Sequence, residues 1–299
     1  MAMKNYKQIV KKADVKYGIE LEYTGITREK SAQVLSTAFQ CSYNHTRLHG
    51  LDTYLLSNGW KIVSDGSIDG GYSQECELVT DILTEAQFTL VEVAVKALKR
   101  AGAVVNDSCG IHVHVSCKGY MNAQVFKKLL QHDLTRHDLI WLACRGKNNW
   151  CLEQNEAFVR NVSKTAFTIA EVKEQWYQVY RDGYRSWDEH YHSSRYHGLN
   201  LHSYFTGKGI EFRYFESTLD IDKVKAFVEL SQGLLMDAIN SQYMRQYIYL
   251  DRLPYDTDYN GYTKEAREEY IYKYAGLWEE YLNRMQISQK SKNVLLLNY

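Results

Sequence analysis

Four short segments, widely separated in the sequence, alternate polar and apolar residues with a period of two. They are residues 18–22 (GIELE), 75–80 (ECELVT), 109–115 (CGIHVHV) and 210–215 (IEFRYF). A period of two is typical of β-strands, because successive side chains point to opposite faces of a sheet. One face of each segment is apolar, and the other carries carboxylates, imidazoles or a guanidinium. The segments therefore predict one sheet with a polar face suited to binding metal ions and phosphates.

The residue types on this polar face favour a metal site. Glu20 and Glu22 lie two apart on one strand, where their like charges repel unless a cation lies between them. Any single pair of this kind is commonly a solvated or ion-paired surface feature. That explanation does not account for the whole set, whose carboxylates and imidazoles favour Mg²⁺ or Mn²⁺ over a structural zinc. The set consists of Glu20, Glu22, Glu77, His112, His114, Glu211 and Arg213.

The wider pattern predicts an α+β fold: a mostly antiparallel sheet with one polar face, helices packed on the other face, and a helical C-terminal portion. No linker or repeat divides the chain, so we expect a single domain over residues 1–299, with a motif-bearing core at 16–218 and the helical portion at 222–299. Strands are expected at 16–24, 60–64, 74–80, 110–116, 198–204 and 210–215. Helices are expected at 27–39, 84–100, from 122, at 170–180 and from 222, and residues 45–58 are expected to be irregular.

Composition narrows the classes of protein. The 299 residues carry 36 basic and 36 acidic side chains, and this balance argues against general adhesion to nucleic acid or to an anionic membrane. No apolar run reaches the roughly 20 residues that span a bilayer, and the Lys-rich first 15 residues lack the apolar region of a signal peptide. The six cysteines form no CxxC pair, so we expect reduced thiols in a cytoplasmic protein.

Several familiar motifs are absent from the sequence. It contains no GxxxxGK[ST], which excludes a P-loop, and no GxGxxG after a strand, no HExxH and no GxSxG. If a nucleotide binds, metal ions and an arginine must therefore hold its phosphates.

The order of the motifs resembles that of the amidoligase family. GxExE is followed by DGS, ELVT, CGIHVHV, a strand with an Asn, and EFRxF, over residues 17–218, about two thirds of the chain. This family is grouped with glutamine synthetase and glutamate–cysteine ligase as carboxylate–amine ligases. The resemblance implies a fold like the glutamine synthetase catalytic domain, with ATP and Mg²⁺ or Mn²⁺ as cofactors.

The resemblance also implies roles for individual residues. ATP phosphorylates a carboxylate in this superfamily, and an amine then attacks the acyl phosphate to form an amide. The motif positions imply metal ligands, ATP-binding residues and catalytic residues. Of Glu75 and Glu77, the second is the better match to the family's carboxylate. The metal ligands are Glu20, Glu22, Glu77, His112 and Glu211; the ATP-binding residues are His114, Arg213, Asn200 and Asp65; the catalytic residues are Arg213, Glu22 and Arg195.

The favoured prediction is an ATP-dependent ligase that joins an amine to the carboxylate of an amino acid, peptide or protein. Because an acyl phosphate must be kept from water, we expect lid loops at 65–72 and 182–196. Two alternatives remain open: a metal-dependent hydrolase that uses the HxH and Glu residues without ATP, and a non-catalytic binding module on the same fold. No nucleic acid or membrane partner is expected, and the sequence leaves the oligomeric state open.

Overall fold

The computed structural model describes residues 9–145, 150–189, 191–241, 250–254 and 263–297. Its centre is an eight-stranded sheet in which neighbouring strands are all antiparallel, in the order β2-β3-β4-β5-β1-β6-β8-β7. The strands are β1 Lys16–Tyr23, β2 Tyr43–Leu48, β3 Leu51–Leu56, β4 Lys61–Ser64, β5 Cys76–Val79, β6 Gly110–Ser116, β7 Leu199–Asn200 and β8 Ile210–Glu216.

Nine helices accompany the sheet in the described part of the chain. The apolar residues of β1, β6 and β8 are buried; α7 packs on β6, α3 packs on β8, and α1 packs on β3 and β4. The predicted α+β class and the helical C-terminal portion are therefore confirmed. The helices are α1 Arg28–Phe39, α2 Phe88–Arg100, α3 Ala123–Cys144, α4 Glu156–Thr165, α5 Ile169–Val179, α6 Leu201–Phe205, α7 Ile221–Asn240, α8 Lys264–Arg284 and α9 Gln289–Leu295.

Helix capping explains several boundaries. Thr27 begins α1 by accepting a hydrogen bond from the backbone N–H of Lys30, and Asn122 begins α3 in the same way through Gln124 and Val125. The capping box of Thr84 is present, but it begins a short 3-10 turn that leads into α2. Of the C-terminal portion, residues 242–249, 255–262 and 298–299 lie outside the described residues.

Two regions differ from the sequence-based prediction. The segment at 45–58, expected to be irregular, forms most of the β2–β3 hairpin, whose turn residues His49 and Gly50 both have positive φ angles (50° and 83°). The strand expected at 198–204 is only two residues long. It ends because the side chain of Asn200 caps α6 by accepting from the backbone N–H of Ser203, so the expected two-strand hairpin is a strand, a short helix and β8.

No helix in the described ranges is long and apolar enough to cross a membrane.

Candidate metal centre

The strand register brings the polar residues together on one face of the sheet. Glu20 on β1 lies opposite His112 on β6, and His114 lies opposite Glu211 on β8. On the other side of β1, Glu22 lies opposite Glu77 on β5. Directly opposite residues of antiparallel strands share a face, so side chains up to 191 positions apart in the sequence form one cluster.

Three of these residues form a compact group of possible metal ligands. One ligand atom from each of Glu20, His112 and Glu211 lies within 4.8 Å of the other two. His112 Nδ1 is 3.1 Å from Glu20 Oε2 and 3.5 Å from Glu211 Oε1. The exposed fraction of the side chain is 20% for Glu20, 10% for His112 and 6% for Glu211. Two carboxylates and one imidazole form a donor set that fits Mg²⁺ or Mn²⁺.

Glu22 and His114 flank this group. The buried carboxylate of Glu22 accepts a 2.7 Å hydrogen bond from the backbone N–H of Gly110, and its other oxygen lies 3.8 Å from His112 Nε2. His114 Nε2 lies 3.1 Å from Glu20 Oε1, yet its orientation makes no hydrogen bond there. The imidazole of His114 therefore lies against Glu20 at the edge of the three-residue group.

The cluster strongly perturbs the pKa values of its acids. Burial raises the pKa of Glu20, but the neighbouring imidazoles of His114 and His112 outweigh burial and hold that pKa well below its usual value. Burial also raises the pKa of Glu211, but the charges of Arg213, His114 and His112 together more than offset burial and lower the pKa to about 2. Glu20 and Glu211 are therefore ionised and able to coordinate a cation at neutral pH.

The pKa of Glu77 is shifted in the opposite direction. Burial, and then the charges of Glu20, Asp65 and Glu22, raise its pKa well above the usual value. Glu75, the competing candidate, instead forms an ion pair with Arg28 at 3.1 Å. The geometry therefore brings Glu77, rather than Glu75, to the acidic cluster.

A β-bulge sets the position of Arg213. Between the pairs Val113–Phe212 and Ile111–Phe215, β8 has one more residue than β6. Bulges change the direction in which side chains point, and this bulge contains Arg213, whose side chain reaches the cluster. Arg213 NH1 is 2.5 Å from Glu211 Oε1 and 3.4 Å from His112 Nδ1.

Asn200, which caps α6, and Ser203 within α6 hold two of the cluster residues. Asn200 Nδ2 donates a 2.6 Å hydrogen bond to Glu211 Oε2, and Ser203 Oγ lies 3.1 Å from His114 Nδ1. The amide of Asn200, expected at the nucleotide, is thus engaged with Glu211 and the start of α6. Sequence reasoning missed Ser203, although its place three residues after Asn200 is the spacing of a helix cap.

Arg195 and Asp65 lie at a cleft beside the metal-ligand group. The cleft meets the group at His112. Ser67, from the DGS turn of the expected 65–72 lid, also lines it, as does Trp150, which sequence reasoning missed. Its lining residues are Glu22, Asp65, Ser67, Gly110, His112, Trp150, Arg195, Arg213 and Phe215.

An antiparallel sheet with buried carboxylates, imidazoles and an arginine on one face, next to a cleft, defines an α+β protein with a candidate metal centre. The family model described as "Putative amidoligase enzyme" matches residues 13–235, about three quarters of the chain. The chain belongs to this family, which supports an enzyme of the amide-bond ligase class. No curated protein matches the chain.

Proposed function

We propose that this protein is an ATP-dependent carboxylate–amine ligase that forms an amide through an acyl phosphate. The observation that supports this most directly is the buried group of Glu20, His112 and Glu211 with Arg213 against it. Two ionised carboxylates and an imidazole suit a Mg²⁺ or Mn²⁺ ion, and the guanidinium suits a phosphate. Family membership supports the amide-forming half of the proposal.

The reaction has two steps. A carboxylate oxygen of the acid substrate attacks the γ-phosphorus of ATP, the bond between that phosphorus and the bridging oxygen breaks, and ADP leaves. The amine nitrogen then attacks the acyl carbon, the carbon–oxygen bond to phosphate breaks, and inorganic phosphate leaves as the nitrogen gives up a proton. Of the cleft's lining residues, Glu22 and Asp65 are the carboxylates that can accept that proton.

The residues of the chain bind, orient and neutralise charge in these steps. Glu20, Glu22, Glu77, His112 and Glu211 would hold the divalent ions. When bound, such ions neutralise the charge of the triphosphate and of the group in transfer. Arg213 is held by Glu211 and by the backbone carbonyl of Trp150, 3.4 Å from its Nε, and its guanidinium would stabilise the charge of the transferred phosphoryl group. His114 would donate a hydrogen bond to a phosphate oxygen.

Two loops shield the acyl phosphate from water. Asp65 and Ser67 bring the 65–72 loop to the cleft, and Arg195 brings the 182–196 loop there. His190, in the second loop, lies outside the described residues. Closure of either loop over the cleft protects the intermediate from hydrolysis.

The test is an assay of phosphate release from ATP with Mg²⁺ or Mn²⁺, pooled amino acids and peptides as acids, and hydroxylamine as a surrogate amine. Wild-type protein is compared with Glu20→Gln and Arg213→Ala, with folding checked by circular dichroism. We expect acid-dependent phosphate release and hydroxamate formation, both lost in the two variants. Retained activity in both variants contradicts the site assignment. Absence of both release and ATP binding contradicts the ligase and favours the metal-dependent hydrolase or the binding module.

A further inference from the structure

Arg195 is a half-buried cation that has no anionic partner among the described residues. Its guanidinium carbon lies 4.8 Å from the ring centroid of Tyr191 and 5.0 Å from that of Tyr196. Its Nε is buried and makes no hydrogen bond. No ion pair joins it to a carboxylate within residues 9–145, 150–189, 191–241, 250–254 or 263–297. A guanidinium that lines a cleft and has no anionic partner among the described residues is suited to bind an anionic ligand.

Arg213, the other arginine of the cleft, does have an anionic partner. Arg213 is neutralised by Glu211 at 2.5 Å and also contacts the backbone carbonyl of Trp150. The cleft therefore contains two guanidiniums, of which one belongs to the metal-ligand group and the other is left for an anion.

Aromatic side chains hold Arg195 on its own side of the cleft. The ring of Trp150 packs edge-on against Tyr196 at 4.6 Å, and Tyr196 in turn contacts the guanidinium. Aromatic rings that cover the faces of a guanidinium leave its terminal nitrogens for in-plane hydrogen bonds. A planar carboxylate accepts two parallel hydrogen bonds from these nitrogens.

We propose that Arg195 binds a second carboxylate of the acid substrate, which makes that substrate a dicarboxylate. This inference rests on the proposed function, in which the phosphates of ATP are held by the ions and Arg213. The first carboxylate is activated at the metal centre, and the second lies against Arg195 between aromatic walls. Two kinds of substrate carry such a pair of carboxylates: an acidic amino acid, or a peptide whose C-terminal carboxylate lies near an acidic side chain.

The experiment measures kcat/KM for hydroxamate formation with pairs of acids. Each pair has a dicarboxylate and the matching compound in which one carboxylate is a neutral amide; one pair is an acidic amino acid and the other a short peptide. Wild type is compared with Arg195→Ala, and with Arg181→Ala as a control at an exposed arginine that is not among the cleft-lining residues. Affinity for Mn²⁺–ATP is measured in parallel by calorimetry.

We expect wild type and Arg181→Ala to prefer one dicarboxylate over its amide by about 50-fold, a typical effect of one charged hydrogen-bonded pair. In Arg195→Ala this preference falls to near unity, while Mn²⁺–ATP affinity changes less than twofold. The pair that shows the effect identifies amino acid or peptide as the source. If Arg195→Ala does not fold, Arg195→Lys is tested instead. This variant keeps the positive charge but loses the paired donors of the guanidinium, so it is expected to retain only part of the preference.

Two results overturn the inference. If Arg195→Ala keeps the wild-type preference, or weakens Mn²⁺–ATP binding instead, Arg195 does not bind a second carboxylate although the ligase activity stands. If wild type neither binds Mn²⁺–ATP nor forms a hydroxamate, the proposed function fails and the inference fails with it.

Discussion

Asn200 joins a candidate metal ligand to the start of a helix. Its Nδ2 donates a 2.6 Å hydrogen bond to Glu211 Oε2, and its Oδ1 accepts from the backbone N–H of Ser203 at 3.3 Å. One buried amide thus fixes both the orientation of the carboxylate and the first turn of α6. Partners behind a ligand orient it and commonly change metal affinity when they are removed.

Replacing Asn200 with Ala is therefore expected to weaken the binding of Mn²⁺ by about tenfold, since Glu211 loses the donor that holds its second oxygen. Isothermal titration calorimetry of the purified protein measures this change. Asn161→Ala removes an exposed amide on α4 and serves as the control, with unchanged affinity expected. Equal affinity in wild type and Asn200→Ala contradicts a positioning role for Asn200.

Ser203 is expected to act on nucleotide binding rather than on the metal alone. Its Oγ is 3.1 Å from His114 Nδ1, and His114 is outside the three-residue ligand group. Ser203→Ala should weaken Mn²⁺–ATP binding about tenfold and leave the affinity for free Mn²⁺ within twofold of wild type. Ser231→Ala, a buried serine that bonds the carbonyl of Phe227, is the matched control. A parallel loss of affinity for both ligands contradicts this assignment.

The polar sheet face was predictable from the sequence because it depends on local alternation. Four segments with a period of two fixed which side chains share a face, and the structure places Glu20, His112 and Glu211 together as expected. The order of the strands came from no local pattern, because cross-strand pairing joins segments far apart in the chain.

Three irregular features of the sheet were not predictable from local alternation. The bulge in β8 depends on pairing with β6 and leaves no mark in the alternation of Glu211 and Arg213. The β2–β3 hairpin was missed because its polar strand at the sheet edge is half exposed and lacks an apolar stripe. The short β7 strand was overestimated because the cap at Asn200 competes with strand extension.

A divalent ion is expected to stabilise the fold through the acidic cluster. A ligand at 100 times its Kd that binds only the folded state raises the free energy of unfolding by about 2.7 kcal/mol. Urea denaturation with and without Mn²⁺ measures this increase, which should disappear in Glu77→Gln if Glu77 binds the ion. Glu75→Gln is the matched control, because Glu75 pairs with Arg28 away from the cluster, and it should keep the full increase. The reverse pattern assigns the family's carboxylate to Glu75.

Glu229 on α7 contacts residues near both ends of the described chain. Its buried carboxylate contacts Lys12 Nζ at 2.6 Å and accepts a 2.7 Å hydrogen bond from the backbone N–H of Ser288. Burial raises the pKa of Glu229, but the hydrogen bonds from Lys12 and Ser288 outweigh it, so the pKa is lower than usual in the folded protein. A lowered pKa means that the ionised form stabilises the fold above the pKa of the unfolded chain, and that this stability is lost as the pH falls through the folded value.

Glu229→Gln is accordingly expected to lower the free energy of unfolding by about 2 kcal/mol at pH 7, a typical value for hydrogen bonds to a buried charge. The difference from wild type should shrink as the pH falls, because wild-type Glu229 then becomes protonated and resembles the variant. Urea denaturation from pH 7 down to pH 3 measures the difference. Glu85→Gln removes the exposed second partner of Lys12 and should cost less than about 1 kcal/mol. A Glu229→Gln effect that is independent of pH would show that packing, rather than charge, is what Glu229 contributes.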